Sequence, residues 1–306
     1  MNRPSARSPT LLPCVAVGAC AAIWGAFWIP LRMLEDGGVS GPWTILFIYV
    51  TATVVMFPFV LKYRGIIKEA GWNWVVTGLL GGGGFYLYAN AFLNTEIVRV
   101  LLLFYLMPIW ATILGRLFLG ETITVVRFLA IALGLGGLFV MLGIDQGWPL
   151  PKNVGDWMAL AAGMMWAYTC VRYRQAAAVG AIEQTFGFVI GCVVCGLIFL
   201  LIPTDGPGII TAFGTLDNVV WLVLGITAAI AIATNFVIIW GARQLSPGLV
   251  GLFNMMELIA GAATAAWLSG EPFGWREIVG GILIVAAALV DIMLHRDPAT
   301  EQALTD

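Results

Sequence analysis

The residue best suited to chemistry is an acid in an apolar setting. Glu257 lies between Met255-Met256 and Leu258-Ile259, about midway along a hydrophobic stretch from 247 to 268. A charge at that depth in a bilayer costs roughly 2.5–3.5 kcal/mol on insertion scales, so the acid should face the protein interior, be protonated or have a partner. Helical spacing puts Val250, Asn254, Glu257, Gly261 and Thr264 on one face. Such an acid can recognise an ammonium group, carry a coupling proton, or fix helix packing through a hydrogen bond.

Other stretches carry comparable stripes. Val17, Ala21, Trp24 and Trp28 share a face; so do Gly83, Tyr86, Asn90 and Asn94; so do Thr227, Ala231 and Thr234, with Asn235 adjacent. Met158, Ala162, Met165 and Thr169 lie together, with Trp166 beside them. A cavity built from these faces is aromatic and soft, with a few amides and one acid. It suits a small molecule with an apolar body and a few polar groups. Glu257, Asn254, Asn90 and Asn235 are expected to bind the polar end of such a molecule. Trp24, Trp28, Tyr86, Met107 and Trp166 are expected to hold its body, by stacking and by soft packing. Each aromatic taken singly is equally compatible with packing or lipid contact.

Enzyme chemistry has little to work with. The one histidine, His295, is at the end of the last apolar stretch, and only five serines exist, none deep in a span beside a base. There is no H-E-x-x-H, P-loop or G-x-S-x-G. Cys192 and Cys195 form a C-x-x-C without a nearby histidine or acid, which favours packing over redox or metal binding. No catalytic residue, metal or cofactor is expected.

The elements that must position these residues are membrane helices. Hydrophobic residues make up 60% and charged residues 10% of the 306, and the mean hydropathy is +0.95. Ten apolar stretches approach the length of about 20 residues that a span requires: 11–33, 42–61, 72–92, 97–118, 125–144, 155–173, 184–203, 218–241, 247–268 and 275–294. They are continuous runs, unlike the alternating segments of a barrel, and helices satisfy their own backbone in lipid. The expected class is an all-α integral membrane protein of ten transmembrane helices. Loops are short, leaving no room between spans for a soluble domain. The run from Leu11 to Met33 is too long for a signal-peptide core and reads as a permanent first span. With both termini placed in the cytoplasm, eleven Lys and Arg fall on that side and four on the other, in keeping with the positive-inside rule. Trp43, Trp72, Trp74, Trp148, Trp157, Trp221, Trp267 and Trp275 lie at span ends and fit an interfacial belt.

The chain also reads twice. Trp24 is followed eight residues later by Arg32, then by Gly120-Glu121 and Arg127; Trp166 is followed eight residues later by Arg174, then by Gly270-Glu271 and Arg276. Residues 1–10 form an N-terminal tail, 11–144 a first five-helix repeat, 145–154 a connecting loop, 155–294 a second repeat and 295–306 a C-terminal tail. An odd span count per repeat makes the second copy enter from the opposite side. Inverted repeats around a central cavity are the frame of many secondary transporters, with the site near the midplane. Glu121 and Glu271 are expected to brace helix ends through Arg127 and Arg276.

Trp24-Gly25, Pro108, Leu119-Gly120-Glu121, Trp166-Ala167 and Gly270-Glu271, in this order, resemble the drug/metabolite transporter superfamily, in its ten-span group built from two tandem EamA-type repeats. The abundance of deep Trp, Tyr and Met is similar to that of bacterial aromatic amino acid exporters. The resemblance implies an exporter of aromatic and other large neutral amino acids in the bacterial inner membrane, working by alternating access. Its partners would be a small-molecule cargo and the lipid bilayer, with no nucleic acid, and a monomer suffices. The alternative on the same fold is a carrier of another metabolite or drug, such as a nucleotide sugar or a cationic drug. Hinges are expected at Pro30 and Pro108, where proline removes a backbone donor, and at Gly83 within the run Gly81 to Gly84.

Overall fold

The computed structural model describes residues 11–39, 42–143, 150–201, 217–270 and 273–294, and among them no strand occurs. The helices in chain order are α1 (Leu11–Gly25), α2 (Trp28–Asp36), α3 (Pro42–Asn94), α4 (Ile97–Phe104), α5 (Met107–Leu119) and α6 (Val125–Leu142). They continue with α7 (Val154–Gln175), α8 (Ala181–Phe199), α9 (Asn218–Ala242), α10 (Pro247–Asn254), α11 (Met256–Ser269) and α12 (Trp275–Leu294). Both tails, residue 144 and residues 145–149 of the expected connecting loop lie outside the described residues.

Among the described residues, six helical segments are long and apolar enough to cross a membrane: Leu11–Asp36, Ile97–Leu119, Val125–Leu142, Ala181–Phe199, Asn218–Ala242 and Pro247–Leu268. Trp43–Phe59 is a shorter apolar helix. The segments expected at 72–92, 155–173 and 275–294 are helical but fall outside this set. The last two carry charge, including Asp156, Arg172, Arg276 and Asp291.

Three of the six crossings are jointed. Between α1 and α2 the ladder tightens, with Phe27 N–H donating to Trp24 O at 2.9 Å and Ile29 N–H to Ala26 O at 3.1 Å. Pro30 lies just beyond and has no N–H to offer Ala26. Between α4 and α5 the joint falls at Tyr105–Leu106, and Pro108 is in the first turn of α5. Between α10 and α11 it falls at Met255, without a proline; Leu258 N–H donates to Met255 O at 3.1 Å. The 53-residue α3 is two helices meeting at Gly71, whose φ of 54° and ψ of −138° turn the chain. Glycine takes that dihedral without a steric penalty.

Backbones touch where glycines face each other, which membrane helices use to gain packing. Gly78 and Gly82 of α3 lie against Gly187 and Gly191 of α8 so closely that a Cβ on Gly82 would strike Gly191 backbone. Gly137 of α6 and Gly280 of α12 pair likewise, a Cβ on either lying 2.6 Å from the other's carbonyl oxygen. The run Gly81 to Gly84 belongs to this packing. Gly81 meets Phe188, and Gly83 and Gly84 meet Met165. The helix passes without interruption through Gly83, an expected hinge, and the missing side chains make room for α7 and α8.

Polar ties close the bundle. Arg99 of α4 grips Asp156 of α7 through Nε, 3.1 Å from both carboxylate oxygens, and through Nη2; Thr95 Oγ1 (2.8 Å) and Lys152 N–H (2.8 Å) also donate to Asp156. Arg127 of α6 pairs with Asp291 of α12 at 2.7 Å and donates to Ser246 Oγ at 2.6 Å. Glu121 faces Arg174 Nε at 3.6 Å. The brace expected at Glu121 thus includes Arg174 of α7, while Arg127 ties α6 to α12. Glu271, the corresponding acid, lies outside the described residues.

Candidate functional site

A cavity of ≈ 70 Å³ lies where the three joints converge. Its walls come from Ala21 and Trp24 of α1, Gly84, Phe85 and Tyr88 of α3, Phe104 of α4, Trp166 of α7 and Phe188 of α8. Asn235 and Ile238 of α9, Asn254 of α10 and Glu257 of α11 complete it.

Glu257 is in the first turn of α11, immediately after the Met255 joint. Tyr105, on the facing joint between α4 and α5, donates its phenol to Oε2 at 2.7 Å. Tyr88 Oη lies 3.4 Å from Oε1, a long and weak contact. The joint of α1 seats against the same turn: a Cβ on Gly25 would overlap Glu257 O and Gly261 N. Backbone contact thus fixes the distance between Trp24 and the acid.

Asn254 adds an acceptor. Its Nδ2 lies 3.9 Å from Met107 Sδ, while its buried Oδ1 has no donor among the described residues. An unsatisfied buried acceptor costs about 1–3 kcal/mol, and a ligand N–H or O–H would relieve that cost. Asn235 donates Nδ2 to Ala231 O of its own helix at 2.8 Å. The rest of the wall is aromatic: Trp24 meets Phe85 at 5.8 Å, Trp166 meets Phe188 at 5.8 Å, and Tyr88 meets Phe104 at 4.2 Å.

Five of the nine residues expected at the site line this cavity: Trp24, Trp166, Asn235, Asn254 and Glu257. Met107 is fully buried behind Asn254. Trp28 donates its indole N–H to Thr264 Oγ1 at 3.1 Å and ties α2 to α11. Tyr86 is turned away: 1% exposed, it stacks on Phe199 at 5.8 Å and presses on Gly196 of α8. Asn90 donates to Tyr86 O at 2.8 Å along its own helix. The reason is helix phase. Gly78, Gly82 and Tyr86 follow one another at four-residue spacing, and the two glycines are held against α8, so Tyr86 faces α8 too. Gly84 and Tyr88, at the same spacing on another face, reach the cavity. The small-x-x-x-small pattern at Gly78 and Gly82 was the signal that could have set the phase. Tyr105 carried no comparable mark beyond its place three residues before Pro108.

The EamA-like transporter family matches this chain over residues 12–143 and again over 153–292. One solved crystal structure aligns with 93% of this chain and 98% of its own, with a TM-score of 0.69 and 19% identity. That likeness shows a shared fold. No curated protein matches the sequence.

Proposed function

We propose that this chain, which belongs to the EamA-like transporter family and is thus a multi-pass membrane transporter of small metabolites, exports aromatic and other large neutral amino acids. The observation that carries this reading is the pairing of Glu257 with the donorless Asn254 Oδ1 in an otherwise aromatic cavity. An amino acid's ammonium group would donate to both, and its side chain would lie among Trp24, Trp166 and Phe188. Ten spans in two inverted five-helix repeats would rock about this point in the bacterial inner membrane, with both termini in the cytoplasm. ATP is not used directly. Export, as opposed to import, follows the family resemblance.

At ≈ 70 Å³ the cavity is below the roughly 300–1,000 Å³ usual for ligand sites. An aromatic side chain needs the walls to part, and the joints at 26–27, 105–106 and 255 are where they would do so. A cationic drug is the second reading, since it uses the same acid and rings. A nucleotide sugar fits less well, because no Arg or Lys lines the cavity.

The test is flux into liposomes containing the purified protein. Labelled Phe, Trp, Met and Thr are compared with a sugar and a quaternary amine. Amino acid fluxes should exceed those of protein-free vesicles; if only the quaternary amine moves, the cargo is a drug-like cation and the amino acid assignment is wrong.

A further inference from the structure

A second pocket, sharing no residue with the central cavity, lies beside the Gly71 turn. Its volume is ≈ 310 Å³, larger than that of the central cavity, and α3, α7 and α8 form it. Glu69, Arg172 and Gln184 supply its chemistry, with Trp74 as a flat apolar wall. Three observations bear on what it takes. First, an acid and a base face one space without pairing: among the described residues no ion pair joins Glu69 or Arg172 to any partner within 4.0 Å. Second, Arg172 is positioned by Nε on Thr77 Oγ1 (2.8 Å) and by Nη2 on Asn73 O (3.0 Å) and Oδ1 (3.3 Å), leaving Nη1 without an acceptor among the described residues. Third, Gln184, 4% exposed, donates Nε2 to Ala176 O at 2.7 Å, while its buried Oε1 has no donor among the described residues.

A simple anion would leave Glu69 and the Gln184 carbonyl unsatisfied, and a simple cation would leave Arg172. A molecule with an oxyanion at one end and an N–H-bearing cation at the other satisfies all three. We propose that this pocket binds a zwitterion, its oxyanion on Arg172 Nη1 and its ammonium between Glu69 and Gln184 Oε1. The ammonium–oxyanion pair is common to free amino acids and to the phosphatidylethanolamine headgroup. The site stands independently of the cargo assigned to the central cavity.

The test uses purified full-length protein. Binding of labelled phosphoethanolamine in detergent reads the free source. Retention of phosphatidylethanolamine over phosphatidylcholine in nanodiscs, by native mass spectrometry, reads the lipid source. Glu69→Gln and Arg172→Lys should each weaken binding of the source concerned by about tenfold, the loss expected for one charge-assisted hydrogen bond. Phosphocholine, which has no N–H, should compete poorly. Glu257→Gln, in the central cavity, should leave phosphoethanolamine binding unchanged. Should Arg172→Lys not fold, Glu69→Gln decides alone, since Glu69 is exposed. Undiminished binding of free zwitterions and lipid alike in Glu69→Gln would overturn the proposal.

Discussion

Tyr105 donates its phenol to Glu257 across 2.7 Å, and the bond joins two interrupted helices at equivalent points. Gly120 and Gly270 end α5 and α11 with nearly equal left-handed dihedrals, φ 71° and 68°. Placed one on the other, they put Tyr105 opposite Met255, the two joints, and Met107 opposite Glu257. Both helices are interrupted at this level although only one has a proline beside the joint, with Pro108 opposite Leu258. Proline is therefore one cause of the joint and not its requirement. The polar pair links the two joints face to face.

Removing either member should cost transport. A hydrogen bond to a charged group contributes about 1.5–3 kcal/mol, so Tyr105→Phe should lower kcat/KM roughly tenfold or more. Glu257→Gln should lower it further, since it also removes the charge proposed to meet the ammonium. The double variant should be no worse than Glu257→Gln alone, because residues sharing one interaction are not additive. Fluxes in proteoliposomes at several pH values provide the measurement. Unaltered rates in Glu257→Gln at every pH would leave the acid a packing residue.

The two tyrosines of α3 give a sharper contrast. Tyr88→Phe removes a long second contact to Glu257 and a polar edge of the cavity, so KM should rise a few-fold, consistent with a weak hydrogen bond of about 1 kcal/mol. Tyr86→Phe should leave KM and kcat at wild-type values, because its hydroxyl is buried against α8. The same flux assay on both variants decides. A KM change confined to Tyr86→Phe would mean that α3 is rotated in the working protein.

That contrast marks how far the sequence could be read. Glu257 was legible because a charge in an apolar run has few tolerable places. Trp24, Trp166, Asn235 and Asn254 were legible because their helices have one polar or aromatic stripe each. The face of α3 was not, since its glycines leave two faces equally plausible until the contact with α8 selects one. Tyr105 was hidden because a tyrosine in an apolar helix looks the same whether it packs or donates. The helical class followed from run length alone. The partner of Arg127 did not, because Asp291 is 164 residues away and only the packing of α6 on α12 brings them together.

Arg99 and Asp156 join the first half of the chain to the start of the second. Asp156 is fully buried and Arg99 is 8% exposed. Breaking a buried pair by deleting one partner leaves an uncompensated charge, at a cost of about 3–5 kcal/mol. Asp156→Ala should therefore lower the melting temperature and the yield of folded protein. Arg99→Met combined with Asp156→Leu should recover most of the loss, since apolar replacement of a whole pair is often neutral. Thermal unfolding in one detergent compares the variants. A double variant as unstable as the single would show that the other Asp156 donors, Thr95 and Lys152 N–H, matter more than the charge pair.

Gly25 tests whether backbone contact positions the acid. A Cβ there would overlap Glu257 O and lie 2.7 Å from Gly261 N and 2.9 Å from Ala260 Cβ. Two of these are backbone atoms and cannot rotate away. Gly25→Ala should push α1 from α11, at the cost of about 1–3 kcal/mol typical of overpacking, and should separate Trp24 from Glu257. The facing substitution is the control. A Cβ on Gly261 meets its nearest atom, Gly25 O, at 3.4 Å, an ordinary contact, so Gly261→Ala should transport at near wild-type rates. If both variants transport equally well, the α1–α11 contact is loose and the Trp24-Gly25 pair has no role in setting the cavity. If Gly25→Ala alone fails while remaining folded, the glycine is there to let a tryptophan and an acid share one small space.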